Sequence, residues 1–233
     1  MTRILLVHGA LADGSSWSRV IPHLQDKGFG VTAVQQPLTS INDDVKVVRA
    51  ALKGLNDASS EPIVVVGHSF GGLVITNAAT DIPNIKALVY VQAFAPDEGE
   101  VVGQLASNYP GLESAKRFVP EGSGRLILPE ADFLAYFAPD VTPREARVLA
   151  ATQGPCDAAR FNFVSGKPSW KQIKSLYYIV GENDQIIHPG LEAWFAERMR
   201  AKTYTLKSAS HAGLISQGEK VAEIILEAAE AAP

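Results

Sequence analysis

The chain of 233 residues is predicted to fold as an α/β domain built on a doubly wound, mostly parallel sheet of six strands. Three observations lead there. Short, continuous apolar runs such as Ile4 to Val7 have the character of strands buried on both faces. Segments with apolar residues at helical spacing alternate with those runs, and strands joined through helices pair in parallel by right-handed crossovers. The alternation breaks once, at a single long insertion.

The first strand, Ile4 to Val7, ends in His8-Gly9. From Trp17 to Lys27, apolar residues recur at Trp17, Val20, Ile21 and Leu24, a helix that stops at Gly28. Phe29 to Val34 is the second strand, and Asp43 to Leu55 an amphipathic helix with Asn42 or Asp43 as its cap. Pro62 to Val66 is the third strand, followed by a helix from Phe70 to about Thr80 and a fourth strand at Ile85 to Val91. The rhythm resumes with a fifth strand at Leu176 to Val180, a helix at Leu191 to Met199 and a last strand at Thr203 to Leu206. Glu219 to Ala229 closes the chain as a helix carrying Val221, Ile224 and Ile225 on one face.

The core is therefore expected from residues 1–96 and 171–233. The 74 residues from Asp97 to Trp170 are too many for an ordinary connection and must have structure of their own. They are expected to form a helical cap, or lid, inserted after the fourth strand. Prolines at 110, 120, 129, 139, 143, 155 and 168 divide the segment into short pieces, among them Glu130 to Phe137 and Pro143 to Thr152. Phe133, Tyr136, Phe137, Phe161 and Phe163 suit packing over the carboxyl end of the sheet, where open α/β sheets bind ligands. A subdomain that only adds stability is the alternative.

Composition narrows the function classes. The chain is 46% hydrophobic and 20% charged with a formal net charge of −4 and no block of basic residues, so nothing in its electrostatics calls for nucleic acid or an anionic membrane. The single cysteine, Cys156, allows no intramolecular disulfide, and its turn-like setting Gly154-Pro155-Cys156-Asp157 suits a packed thiol better than a nucleophile. The opening apolar run is too brief for a signal peptide, and no later stretch approaches the roughly 20 apolar residues of a membrane span. A soluble, cytoplasmic protein is expected, with the homodimer an open possibility. Gly28 to Ala33 formally matches a dinucleotide fingerprint but precedes a strand and opens no helix. The five histidines and one cysteine show no metal-ligand spacing, so no cofactor or metal is implied.

The strongest chemical signal is Val64-Val65-Val66-Gly67-His68-Ser69-Phe70-Gly71-Gly72, a buried strand running through Gly-x-Ser-x-Gly directly into a helix. This is the context of a nucleophile elbow, in which Ser69 occupies a sharp turn and Gly67 and Gly71 avoid collision with the neighbouring strand and helix. A serine hydroxyl needs a base to take its proton, and His211 supplies one in the small-residue loop Ser208 to Gly213 after the last strand. His188 is the reserve; His8, His23 and His68 lie in a turn, a helix and the elbow. The base needs an acid, and Asp184 follows the fifth strand, between serine and histidine in the order this arrangement requires. Asp97, after the fourth strand, is the rival, and Asp184 would also suit a loop-bracing role. Backbone N–H groups of Phe70, at the helix start, and Ala10, after the first strand, are the candidate oxyanion donors. The His8 side chain is then structural, while Trp17 suits the pocket floor and the core equally.

These segments, together with Val7 to Ala10, Asp13 to Trp17, Val180 to Asp184, Ile187 to Pro189 and Ser210-His211, resemble the α/β-hydrolase superfamily over the whole chain. The likeness is to its compact branch of plant methyl-ester esterases and hydroxynitrile lyases. The resemblance implies the α/β-hydrolase fold, Ser69, Asp184 and His211 as a catalytic triad, and Ala10 and Phe70 as the oxyanion hole. The lyases of that branch carry a threonine where Gly9 stands and a lysine where Ala212 stands, and both are absent. Dehalogenase and epoxide hydrolase relatives use an aspartate in place of Ser69. The expected activity is hydrolysis of small, largely apolar carboxylic esters through an acyl-enzyme. A carbon-carbon bond hydrolase, a lyase of the same fold, or a ligand sensor that keeps the triad are the alternatives.

Overall fold

The computed structural model describes residues 2–231. Six parallel strands, β1 (Arg3–Val7), β2 (Gly30–Val34), β3 (Ile63–Ser69), β4 (Ile85–Ala93), β5 (Ser175–Gly181) and β6 (Lys202–Leu206), form one sheet in the order β2-β1-β3-β4-β5-β6. Their side chains divide by parity. Leu5, Val7, Ile63, Val65, Leu88, Tyr90 and Tyr178 pack on the face covered by helices Ile41–Ala58, Phe70–Ala78 and Pro189–Arg198. Ile4, Leu6, Val64, Val66, Val89 and Ile179 pack on the other, under Trp17, helix Ile21–Asp26 and helix Gly218–Glu230. Both faces are buried, which is why the central strands read as unbroken apolar runs.

The chain leaves β1 toward the β2 edge and returns to β3 on the other side of β1. That reversal puts the carboxyl ends of β1 and β3 at a topological switch point, where the connecting loops diverge and leave a crevice. Val7 pairs with Gly67 across it.

Several elements differ from their sequence expectation for local reasons. Trp17 to Lys27 is two pieces, a 3-10 turn Gly14–Trp17 capped by the Asp13 carboxylate and a helix Ile21–Asp26. Pro22 lacks an N–H and so suits the first turn of a fresh helix. The next helix begins at Ile41, and its cap is Ser40, whose hydroxyl accepts the Asp43 N–H at 3.1 Å, in place of Asn42 or Asp43. Asp43 answers by accepting the Ser40 hydroxyl at 2.8 Å.

Between Ala93 and Ser175 the chain leaves the sheet. This segment holds a helix Val102–Ala106, a two-residue hairpin pairing Val119–Pro120 with Leu126–Ile127, a helix Pro143–Thr152 and several 3-10 turns. The piece from Glu130 to Phe137 is one α-turn followed by a π-turn, Phe133–Phe137, which stacks the two phenylalanine rings at 4.4 Å. Arg160 ties the segment to the core beneath it. Its fully buried guanidinium lies 3.3 Å from Asp44 Oδ2, donates to the Leu38 carbonyl at 3.1 Å and sits 5.2 Å from the centre of the Phe70 ring. No helix among the described residues is long and apolar enough to cross a membrane.

Candidate active site

Ser69 closes β3 and precedes helix Phe70–Ala78 with φ 55° and ψ −125°, a conformation that a side chain rarely adopts without strain. Its neighbours hold it there. A Cβ on Gly67 would lie 2.6 Å from the Gly71 carbonyl oxygen, and one on Gly71 would lie 2.4 Å from that of Val7. The strand, the turn and the helix therefore approach at backbone distance. Phe70 is the first helical residue, so its N–H has no intrahelical acceptor.

The loop after β1 packs directly on the serine: a Cβ on Gly9 would come 2.6 Å from Ser69 Cβ. His8 shapes this loop. Its Nδ1–H donates to the Gly9 carbonyl at 2.8 Å while its Nε2 accepts the Gln36 N–H at 3.0 Å, which fixes the tautomer. Burial lowers its pKa and keeps the ring neutral. Holding the Gly9 carbonyl turns the N–H of the same peptide, that of Ala10, to the opposite side. Ala10 and Phe70 both line one cavity with Ser69.

His211 and Asp184 meet beside the elbow, where the His211 carbonyl bonds to His68 Nε2 at 3.0 Å. Both are fully buried, and His211 Nδ1–H donates to Asp184 Oδ2 at 2.5 Å. His211 Nε2 is buried and bonds to no described residue, so the tautomer set by Asp184 leaves a lone pair free there. Ser69 and His211 make no hydrogen bond in this arrangement; such bonds often tighten only around substrate. Asp184 Oδ1 accepts the N–H groups of Ile186 at 2.7 Å and Ile187 at 2.9 Å, so the residue braces its loop as well. Burial works to raise the Asp184 pKa, but the His211 charge and these hydrogen bonds leave it lowered.

The rivals lie elsewhere. His188 caps helix Pro189–Arg198, its Nδ1 accepting the Gly190 N–H at 3.0 Å, and Asp97 pairs with Lys171. Trp17 belongs to the core on the opposite face of the sheet. Among the described residues no three His, Cys, Asp or Glu side chains gather closely enough to hold a metal ion.

The cavity over Ser69 measures about 340 Å³. Its walls are Leu11, Phe70, Phe94, Phe118, Phe137 and Phe161, with Leu126, Ile186 and Cys156 between them and no charged side chain. Phe118, Leu126, Phe137, Cys156 and Phe161 come from the inserted segment. Cys156 is buried with a raised pKa, chiefly from burial, as befits a packed thiol.

Several residues at the site escape sequence reasoning. Gln92, at the end of β4 with φ 45°, donates to Asp184 Oδ2 at 3.0 Å and to the Ser210 carbonyl at 2.6 Å. Its only signal is a polar residue inside an apolar strand. His68 donates through Nε2 to the His211 carbonyl at 3.0 Å, and burial, followed by the His211 charge, lowers its pKa to about 3. Asp140 accepts the Ser210 N–H at 2.9 Å, and Phe137 packs edge-on against the His211 ring at 4.8 Å. Their link to the last loop spans some seventy residues of sequence and leaves no local pattern.

An open parallel sheet whose third strand ends in a strained serine at the switch point defines a class of enzyme scaffold, and the chain belongs to the alpha/beta hydrolase family, which it matches over residues 4–224. Among characterised relatives it is similar to the polyneuridine aldehyde esterase of Rauvolfia serpentina, 25% identical over 96% of this chain and 94% of that protein. The crystal structure of polyneuridine aldehyde esterase superposes with a TM-score of 0.81, covering 97% of this chain and 99% of the other; at 17% identity in that alignment the likeness speaks for the fold. The carbendazim hydrolyzing esterase of Nocardioides sp. (strain SG-4G) is 28% identical over 73% of this chain and 66% of its own length. An alpha-hydroxynitrile lyase of Arabidopsis thaliana is 32% identical over 45% of each chain.

Proposed function

We propose that the chain is a serine esterase that cleaves small, largely apolar carboxylic esters through an acyl-enzyme on Ser69. The observation that carries this reading is the buried His211–Asp184 pair, whose histidine bonds through its carbonyl to His68, the neighbour of the strained Ser69, and packs on Phe137, a wall of the cavity over Ser69. In the proposed reaction, His211 Nε2 takes the Ser69 proton as Oγ attacks the ester carbonyl. The N–H groups of Ala10 and Phe70 receive the developing oxyanion. Asp184 holds the tautomer and stabilises the imidazolium, which then gives its proton to the leaving alcohol. A water activated by His211 releases the acid. Residues 97–170 act as a cap whose phenylalanines enclose the apolar part of the substrate.

The esterase names of the relatives support ester cleavage. The space around Gly9 speaks against the lyase reading, because a threonine side chain there would run into Ser69. Hydrolysis of p-nitrophenyl butyrate tests the proposal. The wild type is expected to exceed Ser69→Ala by about 10⁴-fold or more in kcat. Equal rates refute the esterase, and a preference for acyl chains of about twelve carbons or longer refutes only the small substrate.

A further inference from the structure

Glu192 is a buried titratable group that the proposed reaction leaves unused. It sits on helix Pro189–Arg198 with no solvent exposure, and its Oε2 accepts the Gly181 N–H at 2.9 Å. No N–H of the described residues reaches its Oε1. Asp184 lies fully buried on the same anchor: the Gly181 carbonyl accepts the Asp184 N–H at 3.3 Å while the Gly181 N–H is held by Glu192, and the Asp184 charge bears on the Glu192 carboxyl. Two like charges in one desolvated enclosure cannot both persist, so the pair holds a proton between them. The donors decide where it resides. Asp184 accepts from four N–H groups, of His211, Gln92, Ile186 and Ile187, whereas Glu192 accepts from one.

We propose that Glu192 is a positioning residue held as a neutral acid, its Oε1–H donating to Asp184, so that Asp184 is the single ionised carboxylate behind His211. Burial first, and the Asp184 charge second, drive the Glu192 carboxyl well above the ordinary carboxylate range. The other titratable groups facing the pair are His211 and His68 against Asp184, and Tyr178 of β5 against both carboxyls. No lysine or arginine among the described residues forms an ion pair with either carboxyl. The arrangement suits a base that must also act as an acid. A second negative charge would hold the proton on His211 when it should pass to the leaving group.

The inference rests on the triad reading, and its test separates the two. Infrared spectra of the resting wild-type protein at neutral pH are expected to show a protonated-carboxyl stretch that shifts in D₂O and disappears in Glu192→Gln. This arm needs no turnover and holds whether or not Ser69→Ala is inactive. Absence of the band, or its survival in Glu192→Gln, overturns the proposal. Glu192→Leu, which strips Asp184 of a donor and leaves the Gly181 N–H unpaired, is expected to lose about tenfold in kcat with KM within about twofold. The amide of Glu192→Gln can both donate and accept, and is expected to recover most of that loss. Full activity in Glu192→Leu would refute a positioning role. The acid limb of kcat/KM, which reports the base, is expected to stay in place in Glu192→Gln. A downward displacement by about one pH unit or more would mean that an ionised Glu192 had been removed, and the proposal would fail. If Glu192→Leu does not fold, the infrared and pH arms decide alone.

Discussion

Gly9 is the glycine outside the elbow whose Cβ would strike Ser69, a close approach that the sequence does not reveal. Because a Cβ there would stand 2.6 Å from Ser69 Cβ, Gly9→Ala is expected to displace the serine and cost about 100-fold in kcat, with KM as the control. His68 has a thermodynamic signature instead. Its folded pKa of about 3 lies below the unfolded value of 6.5, so its contribution to stability is complete above pH 6.5 and is lost as pH falls toward 3. The stability gap between wild type and His68→Gln, measured by urea unfolding, is therefore expected to narrow by ~2 kcal/mol from pH 7 to pH 5. Ser69, His211 and Asp184 were legible as candidates because a strand, a turn and their order in the chain constrain them locally. Gln92 and Asp140 were not, because each acts across the fold on a loop far away in sequence; Glu192 was not, because a helical glutamate carries no local sign that it is buried.

The strands and most helices could be read because a sheet buried on both faces imprints itself as apolar runs, and an amphipathic helix as spaced ones. Element boundaries leave a weaker imprint. The sequence points to Asn42 or Asp43 as a cap although Ser40 performs that task, because Thr39, Ser40, Asn42 and Asp43 are all competent caps and only geometry chooses. The first helix broke in two at Pro22, a residue that starts helices as readily as it ends them. The π-turn at Phe133–Phe137 has no sequence signature of its own. The joint between β3 and its helix is the element with least tolerance. Gly71→Ala, which would press a Cβ against the Val7 and His8 carbonyls at 2.4 and 2.6 Å, is expected to cost about 2 kcal/mol or more, visible as a lowered Tm.

At the scale of the molecule, the insertion was recognisable by its length, but not the way it is fastened. Arg160 and Asp44 are 116 residues apart and form a fully buried ion pair. Removing one partner strands the other, so Arg160→Met is expected to destabilise by about 3–5 kcal/mol, and adding Asp44→Leu to restore much of it; urea unfolding of both variants measures this. A second fastening runs from Asp140 and Phe137 to the loop that bears His211, so the inserted segment also grips the residue proposed as the base. The apolar chamber over Ser69 also bears on the direction of the proposed reaction. A neutral ester can enter walls made of phenylalanine and leucine at little cost, but the acid it yields ionises at neutral pH and finds no cation there to receive it. Under the proposed reaction the free carboxylate is therefore expected to inhibit far more weakly than a neutral ketone or amide of the same shape.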